Sequence, residues 1–152
     1  MDIVVATVGR IGAGPERDLF VRYTLRLHWR VAVVEVVEKR PLPRLERMAR
    51  ETALLLAALP RRATVVALDE RGTVFPSAVL AARLQAWQEK GTGCCAFVIG
   101  GADGLTEAVR ERAELVLSLG LMTWPHRLVR VLLAEQLYRA QSLLDGHPYH
   151  RG

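Results

Sequence analysis

Residues 117–151, LSLGLMTWPHRLVRVLLAEQLYRAQSLLDGHPYHR, organise the reading of the whole chain. Leu117-Ser118-Leu119 is a short apolar run that stops at Gly120. Gly120 to Pro125 is a loop, and Pro125 opens a long helix, where its fixed φ fits the first turn and its missing N–H is not needed. Val129, Leu132, Leu133, Leu137, Ala140, Leu143 and Leu144 recur at helical spacing over a broad arc, and Leu128, Val131 and Tyr138 lie towards another side. One sheet face cannot cover such a helix, so a second surface is expected, most simply a symmetric copy of the chain, the alternative being a helix deeply buried within one subunit. Glu135 and Arg139 can pair at a spacing of four. Asp145-Gly146 ends the helix with glycine in the usual C-terminal position. The tail that follows, His147-Pro148-Tyr149-His150-Arg151, brings two imidazoles, a phenol and a guanidinium together with almost nothing apolar to bury.

Working back from that helix, strand and helix alternate. Ile3 to Val8 is a continuous β-branched run, the pattern of a strand buried on both faces. A Gly9-to-Pro15 loop follows, and Leu19, Phe20, Tyr23 and Leu27 then recur at helical spacing. Arg22, Arg26 and Arg30, four residues apart, make the opposite face either a phosphate-facing ladder or a solvated stripe. Val31 to Val37 is a second strand and Arg44 to Leu59 a helix with its own Glu46/Arg50 pair. Ala63 to Leu68 is a third strand, with Asp69-Glu70-Arg71-Gly72 as the loop at its end. Ser77 is placed to cap a helix over Ala78 to Glu89, whose Val79, Leu80, Leu84 and Trp87 point inward. Cys94 to Ile99 is a fourth strand, Thr106 can cap a helix through Arg112, and Leu115 to Leu119 is a fifth strand. This pattern predicts one α/β domain over 1–152, with a mostly parallel sheet of five to six strands and helices on both faces. Ligands of such sheets sit outside the carboxyl ends of the strands. Three loops qualify: the one after Leu68, Gly100-Gly101-Ala102-Asp103-Gly104, and Gly120 to Pro125. Two adjacent glycine loops make a cleft for a flat polar heterocycle, with Leu68, Leu121, Met122 and Trp124 as apolar walls.

Composition narrows the classes of function. At 51% hydrophobic and 24% charged residues the 152-residue chain is globular. It has no apolar run of the ~20 residues that a membrane span needs. The N-terminal apolar run has no basic segment before it and reads as a first strand, so a cytoplasmic protein is expected. Adjacent Cys94 and Cys95 point to opposite faces of a strand and cannot share a metal, so no metal site is expected. The net charge is +5, and of 21 basic residues only Lys39 and Lys90 are lysine. Arginine forks onto phosphate, so this surface suits nucleic acid, although compositional bias produces the same excess. A dinucleotide fingerprint fails in detail. Ile99 stands where a glycine is required, and the strand ending Leu119-Gly120 carries no ribose-binding acid.

Phe97-Val98-Ile99-Gly100-Gly101-Ala102-Asp103-Gly104-Leu105, Leu117-Ser118-Leu119, Thr123-Trp124-Pro125-His126, Leu128-Val129-Arg130, Glu135-Gln136-Leu137-Tyr138-Arg139-Ala140 and the His147–Arg151 tail together resemble the RlmH family. These are SPOUT-superfamily methyltransferases that modify pseudouridine in large-subunit ribosomal RNA. The likeness runs the whole length, including Val8-Gly9-Arg10 and Leu68-Asp69. It implies a C-terminal trefoil knot, a homodimer, and S-adenosylmethionine as cofactor. By position it implies cofactor contacts at Leu68, Gly101, Gly120, Leu121, Met122, Thr123, Trp124 and Pro125. The implied product is N3-methylpseudouridine in 23S rRNA, made on assembled ribosomes. The tail then supplies the catalytic candidates: His147 and His150 as bases or shuttles, Arg151 and Arg139 as donors, and Tyr149 as a stacking surface. His126 is expected to hold the cofactor loop in shape. Arg10, Arg22, Arg26 and Arg30 are the expected RNA contacts, with Arg10 and Trp124 departing from the residue types usual in the family. The tail of one subunit is a candidate to complete the site of the other. A non-catalytic ribosome-binding factor on the same fold is the alternative.

Overall fold

A computed structural model describes residues 1–151, the side chains of His150 and Arg151 excepted. Five strands, β1 (Asp2–Val8), β2 (Val31–Val36), β3 (Thr64–Thr73), β4 (Cys94–Ile99) and β5 (Leu115–Leu117), form one sheet in the order β2-β1-β4-β3-β5. Every pair is parallel. Five α-helices alternate with the strands: α1 (Pro15–Thr24), α2 (Arg44–Ala58), α3 (Ser77–Glu89), α4 (Glu107–Arg112) and α5 (His126–Leu144). A 3₁₀ turn follows at Pro148–Arg151.

The two-residue period of the strands sorts their side chains onto two cores. Ile3, Val5, Val66, Phe97 and Ile99 face α1, α3 and α5 through Phe20, Leu80, Leu84, Trp87, Leu133 and Leu137. Ala6, Val65, Ala67, Ala96 and Val98 face α2 and α4 through Leu55 and Val109. Helices therefore cover both faces, as the uninterrupted apolar strands predict. Register places Thr7 beside Ile99, Ile99 beside Leu68, and Leu68 beside Leu117. Four strands thus end abreast, and their loops leave side by side.

Several local expectations are corrected. Asp69–Gly72 is a bulge within β3 rather than a loop after it: Leu68 and Thr73 both align with Leu117, and a Cβ on Gly72 would lie 2.6 Å from the Val116 carbonyl oxygen. Helix α1 stops at Thr24, whose hydroxyl donates to the Phe20 carbonyl at 3.0 Å. Arg26 and Arg30 therefore leave the helix, and the three-arginine face is not formed. Arg50 turns to Glu38 at 3.4 Å rather than to Glu46. Thr106 sits at the expected N-cap and Ser77 one residue inside its helix, but neither side chain makes a capping hydrogen bond. Ser77 donates across to Gln136 at 2.6 Å, and Thr106 meets Thr52 at 2.7 Å. Val79 is exposed.

Helix α5 starts at the expected proline boundary and ends in a full Schellman turn. His147 N–H bonds the Ser142 carbonyl at 2.8 Å and Gly146 N–H the Leu143 carbonyl at 3.3 Å, with Gly146 at φ +70. Its Leu133, Leu137 and Ala140 are fully buried within the chain, so much of the broad apolar arc is covered by α1, α3 and the sheet. Leu128 and Leu144 remain exposed at its two ends. Among the described residues no helix is long and apolar enough to cross a membrane.

Candidate active site

A cavity of about 610 Å3 opens at the β3 bulge and where β4 and β5 end. All three loops singled out from the sequence contribute to it. Of the residues expected to hold a cofactor, Leu68, Gly101, Gly120, Met122, Thr123, Trp124 and Pro125 line this cleft. Leu121 does not; its side chain is 91% exposed. Leu117, Leu119, Ile99 and Val129 supply apolar wall from behind.

The wall built by β4 and its loop is tightly fixed. Gly101 and Gly104 form an antiparallel bridge, and Gly104 N–H reaches the Gly101 carbonyl at 3.0 Å. A side chain on Gly100 would come within 2.7 Å of the Gly104 carbonyl carbon, backbone that cannot yield. Gly104 itself sits at φ +82, where side chains other than glycine's are strained. Asp103 anchors the loop to α2, accepting from Arg47 at 2.6 Å and Arg44 at 3.1 Å. Those guanidiniums, Arg47 first, hold its carboxyl below the usual aspartate range. Glu51, beneath Gly101, is raised instead, because burial outweighs Arg47.

The opposite wall is looser. Ser118 Oγ donates to the Gly120 carbonyl at 2.8 Å, and Thr123 donates to Glu70 at 3.2 Å across the mouth. Arg110 reaches in from α4 to Asp69 at 3.0 Å and the Leu105 carbonyl at 2.9 Å. A smaller groove of about 240 Å3 adjoins the cleft along Leu119 and Trp124.

Sequence spacing gave no sign of the third component, a buried guanidinium under the cleft. Arg130 is 1% exposed and ties three elements together. It donates to Glu35 of β2 at 2.6 Å and to the Gly9 carbonyl after β1 at 2.7 Å, while Ile11 N–H also bonds Glu35 at 2.7 Å. Arg130 Nε has no hydrogen-bond partner among the described residues. His126 lines the cleft just above, 4.0 Å from where a Cβ on Gly9 would stand. Burial, then the nearby Arg130 and Arg127 charges, push its pKa below the ordinary value. No hydrogen bond ties it to the Gly120–Pro125 loop, so the expected loop-shaping role is not what the geometry displays.

Among the described tail residues, none lines this chain's own cleft. Tyr149 packs edge-on against Tyr138, ring centroids 4.7 Å apart. Its phenol donates to Glu135 at 3.2 Å and lies 3.4 Å from the Tyr23 hydroxyl. Burial, followed by the Tyr23 and Glu135 contacts, raises its pKa, so it remains a phenol. Arg139 pairs with Glu135 at 2.7 Å, as the spacing predicted, and lies over the Tyr149 ring. His147 Nδ1 accepts from Tyr149 N–H at 3.3 Å. The side chains of His150 and Arg151 lie outside the described residues. Tyr149, Arg139 and Glu135 thus form one cluster, nearly three turns along α5 from His126.

The expected RNA contacts are likewise scattered. Arg26 lies over the Tyr138 ring at 4.0 Å and bonds its hydroxyl at 2.5 Å. Arg30 pairs with Asp2 at 2.6 Å. Arg22 and Arg10 are exposed, on separate elements.

A parallel α/β sheet with a glycine-walled cleft at its carboxyl edge defines a small-molecule-binding domain of the kind that hosts group transfer. The chain belongs to the SPOUT methyltransferases: the family described as "Predicted SPOUT methyltransferase" matches residues 1–150. It is 57% identical over 151 residues to the Ribosomal RNA large subunit methyltransferase H of Paramagnetospirillum magneticum, covering 99% of both chains. The protein of the same name from Rhodospirillum rubrum is 56% identical at the same coverage. Among solved structures, a probable methylase family protein from Haemophilus influenzae shares the fold with a TM-score of 0.57 at 12% identity, over 97% of this chain and 69% of that one.

Proposed function

We propose that this protein transfers a methyl group from S-adenosylmethionine to N3 of a pseudouridine in 23S rRNA, in the cytoplasm, on assembled ribosomes and as a homodimer. The observation that carries the proposal is full-length identity above one half to relatives named for large-subunit rRNA methylation. The cleft fits the cofactor. It has the volume usual for such ligands, glycine backbone that a side chain would block, and apolar wall from Leu68, Leu119 and Val129. Gly101 and Gly120 to Pro125 would hold it, Leu121 through backbone only. When bound, S-adenosylmethionine supplies an electrophilic methyl group. Threading of the C-terminal segment through a trefoil knot belongs to the same proposal.

The imide nitrogen of pseudouridine carries a proton near neutral pH, so the chain must accept or share it. Among the described residues, His126 is the imidazole that lines the cleft, and its lowered pKa keeps it neutral and able to accept. Arg139, held as a cation by Glu135, can only donate, while Tyr149, held as a phenol with its O–H given to Glu135, offers its ring as a stacking surface. In a dimer these groups, with His147, His150 and Arg151, reach the partner's cleft rather than their own, and the donors among them stabilise charge spreading to the carbonyl oxygens. The exposed Leu121, Met122, Trp124 and Val74 strip beside the cleft supports a homodimer.

The test is methylation of purified ribosomes lacking the mark, followed by mass-spectrometric mapping. Methyl on N3 of a pseudouridine in 23S rRNA is expected; methyl on another base, or none, overturns the proposal. Mixed dimers of Arg151-deleted and cofactor-pocket-deficient subunits should recover activity if the tail serves the partner's site.

A further inference from the structure

Sorting the arginines by what already holds them separates structural cations from available ones. Arg30, Arg40, Arg44, Arg47, Arg50, Arg110, Arg130 and Arg139 each have a carboxylate within ion-pair distance. Arg10, Arg71 and Arg127 have none among the described residues, and all three are exposed. Arg71, in the β3 bulge, lines the cleft itself, while Arg10 and Arg127 are the chain neighbours of Gly9 and of His126, a residue of α5 that lines it. Arg127 follows His126 at the start of α5, near enough to lower the His126 pKa. Arg10 follows Gly9, which abuts His126, and its charge is felt at Glu35.

The acids around the same mouth are largely neutralised: Asp69 by Arg110, Glu35 by Arg130, and Asp103 by Arg44 and Arg47. Glu70, bonded to the uncharged Thr123, has no cation within ion-pair distance among the described residues. Three free guanidiniums against one free carboxylate make the rim electropositive. Guanidinium forks fit phosphate oxygens in two-point fashion.

Resting on the function proposed above, we infer that Arg10, Arg71 and Arg127 form the backbone-phosphate clamp that holds the RNA strand flanking the target base over the cleft. The pinned Gly9 carbonyl gives Arg10 a fixed base, since Arg130 holds it at 2.7 Å. The clamp replaces the Arg22–Arg26–Arg30 face, whose last two members are already engaged.

The experiment compares Arg10→Glu/Arg71→Glu/Arg127→Glu with Arg61→Glu/Arg62→Glu, exposed arginines before β3 at the opposite edge of the sheet. Binding of each full-length protein to ribosomes lacking the mark is measured across a salt series. A milder Arg→Gln triple variant and thermal melts guard against misfolding. The clamp variant should bind on the order of 100-fold more weakly, with its salt slope reduced by about 2, as expected when about three phosphate contacts are lost. The control should change no more than a few-fold. Equal losses in clamp and control, or an unchanged salt slope in the Arg→Gln variant, overturn the clamp while wild-type methylation leaves the function intact. Wild-type protein that binds and clamps but methylates nothing would refute the function and spare the clamp.

Discussion

The two glycine loops of the cleft are neighbours in space and opposites in construction. Gly100–Gly104 is held by backbone bonds, by a close approach that admits no side chain, and by two guanidiniums on Asp103. Gly120–Pro125 has few ties and turns Leu121, Met122 and Trp124 towards solvent, at 91%, 74% and 43% exposure. One wall is finished by the chain itself. The other is shaped to be finished by something that covers it, whether cofactor, RNA or a second copy.

Three substitutions probe that contrast. The largest effect is expected at the finished wall. Gly100→Ala places a methyl 2.7 Å from backbone, so the loop must move, and calorimetry should show cofactor affinity down on the order of 100-fold. Wild-type affinity would mean that the cradle is softer than its packing indicates. At the open wall, Trp124→Ala should leave folding stability within about 0.5 kcal/mol. Analytical ultracentrifugation should nonetheless show self-association weakened by roughly 30-fold, as for a tryptophan at the centre of an interface. A large drop in melting temperature instead would make that wall part of the subunit's own core. The smallest effect lies between the walls, at His126. Its folded pKa is depressed from 6.5, so the unfolded chain binds the proton more tightly. Its contribution is present above 6.5 and is lost as pH falls through the lower folded value. Melts of His126→Gln should lack that component of the acid-side decline; an unchanged profile would place the imidazole in water.

The parts of the molecule written in local pattern were legible. Uninterrupted β-branched strands gave a parallel sheet covered on both faces, and glycine next to strand ends gave the cleft. What was not legible depends on partners distant in the chain. Asp69–Gly72 is polar and turn-like, yet its alignment with β5 makes it a bulge. Arg22, Arg26 and Arg30 are evenly spaced, but Tyr138 and Asp2 claim the last two. Nothing in the sequence around Arg130 announces its partner Glu35, 95 residues away. The polar composition of the tail gives no hint of the aromatic seat that Tyr138 and Tyr23 provide for Tyr149.

Arg130 also has a consequence for anyone improving this protein. A buried guanidinium with one nitrogen unsatisfied among the described residues, paired to a carboxylate still 29% exposed, is a poor source of stability, and well-packed apolar replacements of buried pairs can raise stability by about 1–4 kcal/mol. Selection for heat resistance alone would therefore favour losing Arg130 and Glu35 together. The hardier variant would melt later with Gly9 and Ile11 released, and a thermal screen would score as progress the loosening of the loop that carries Arg10.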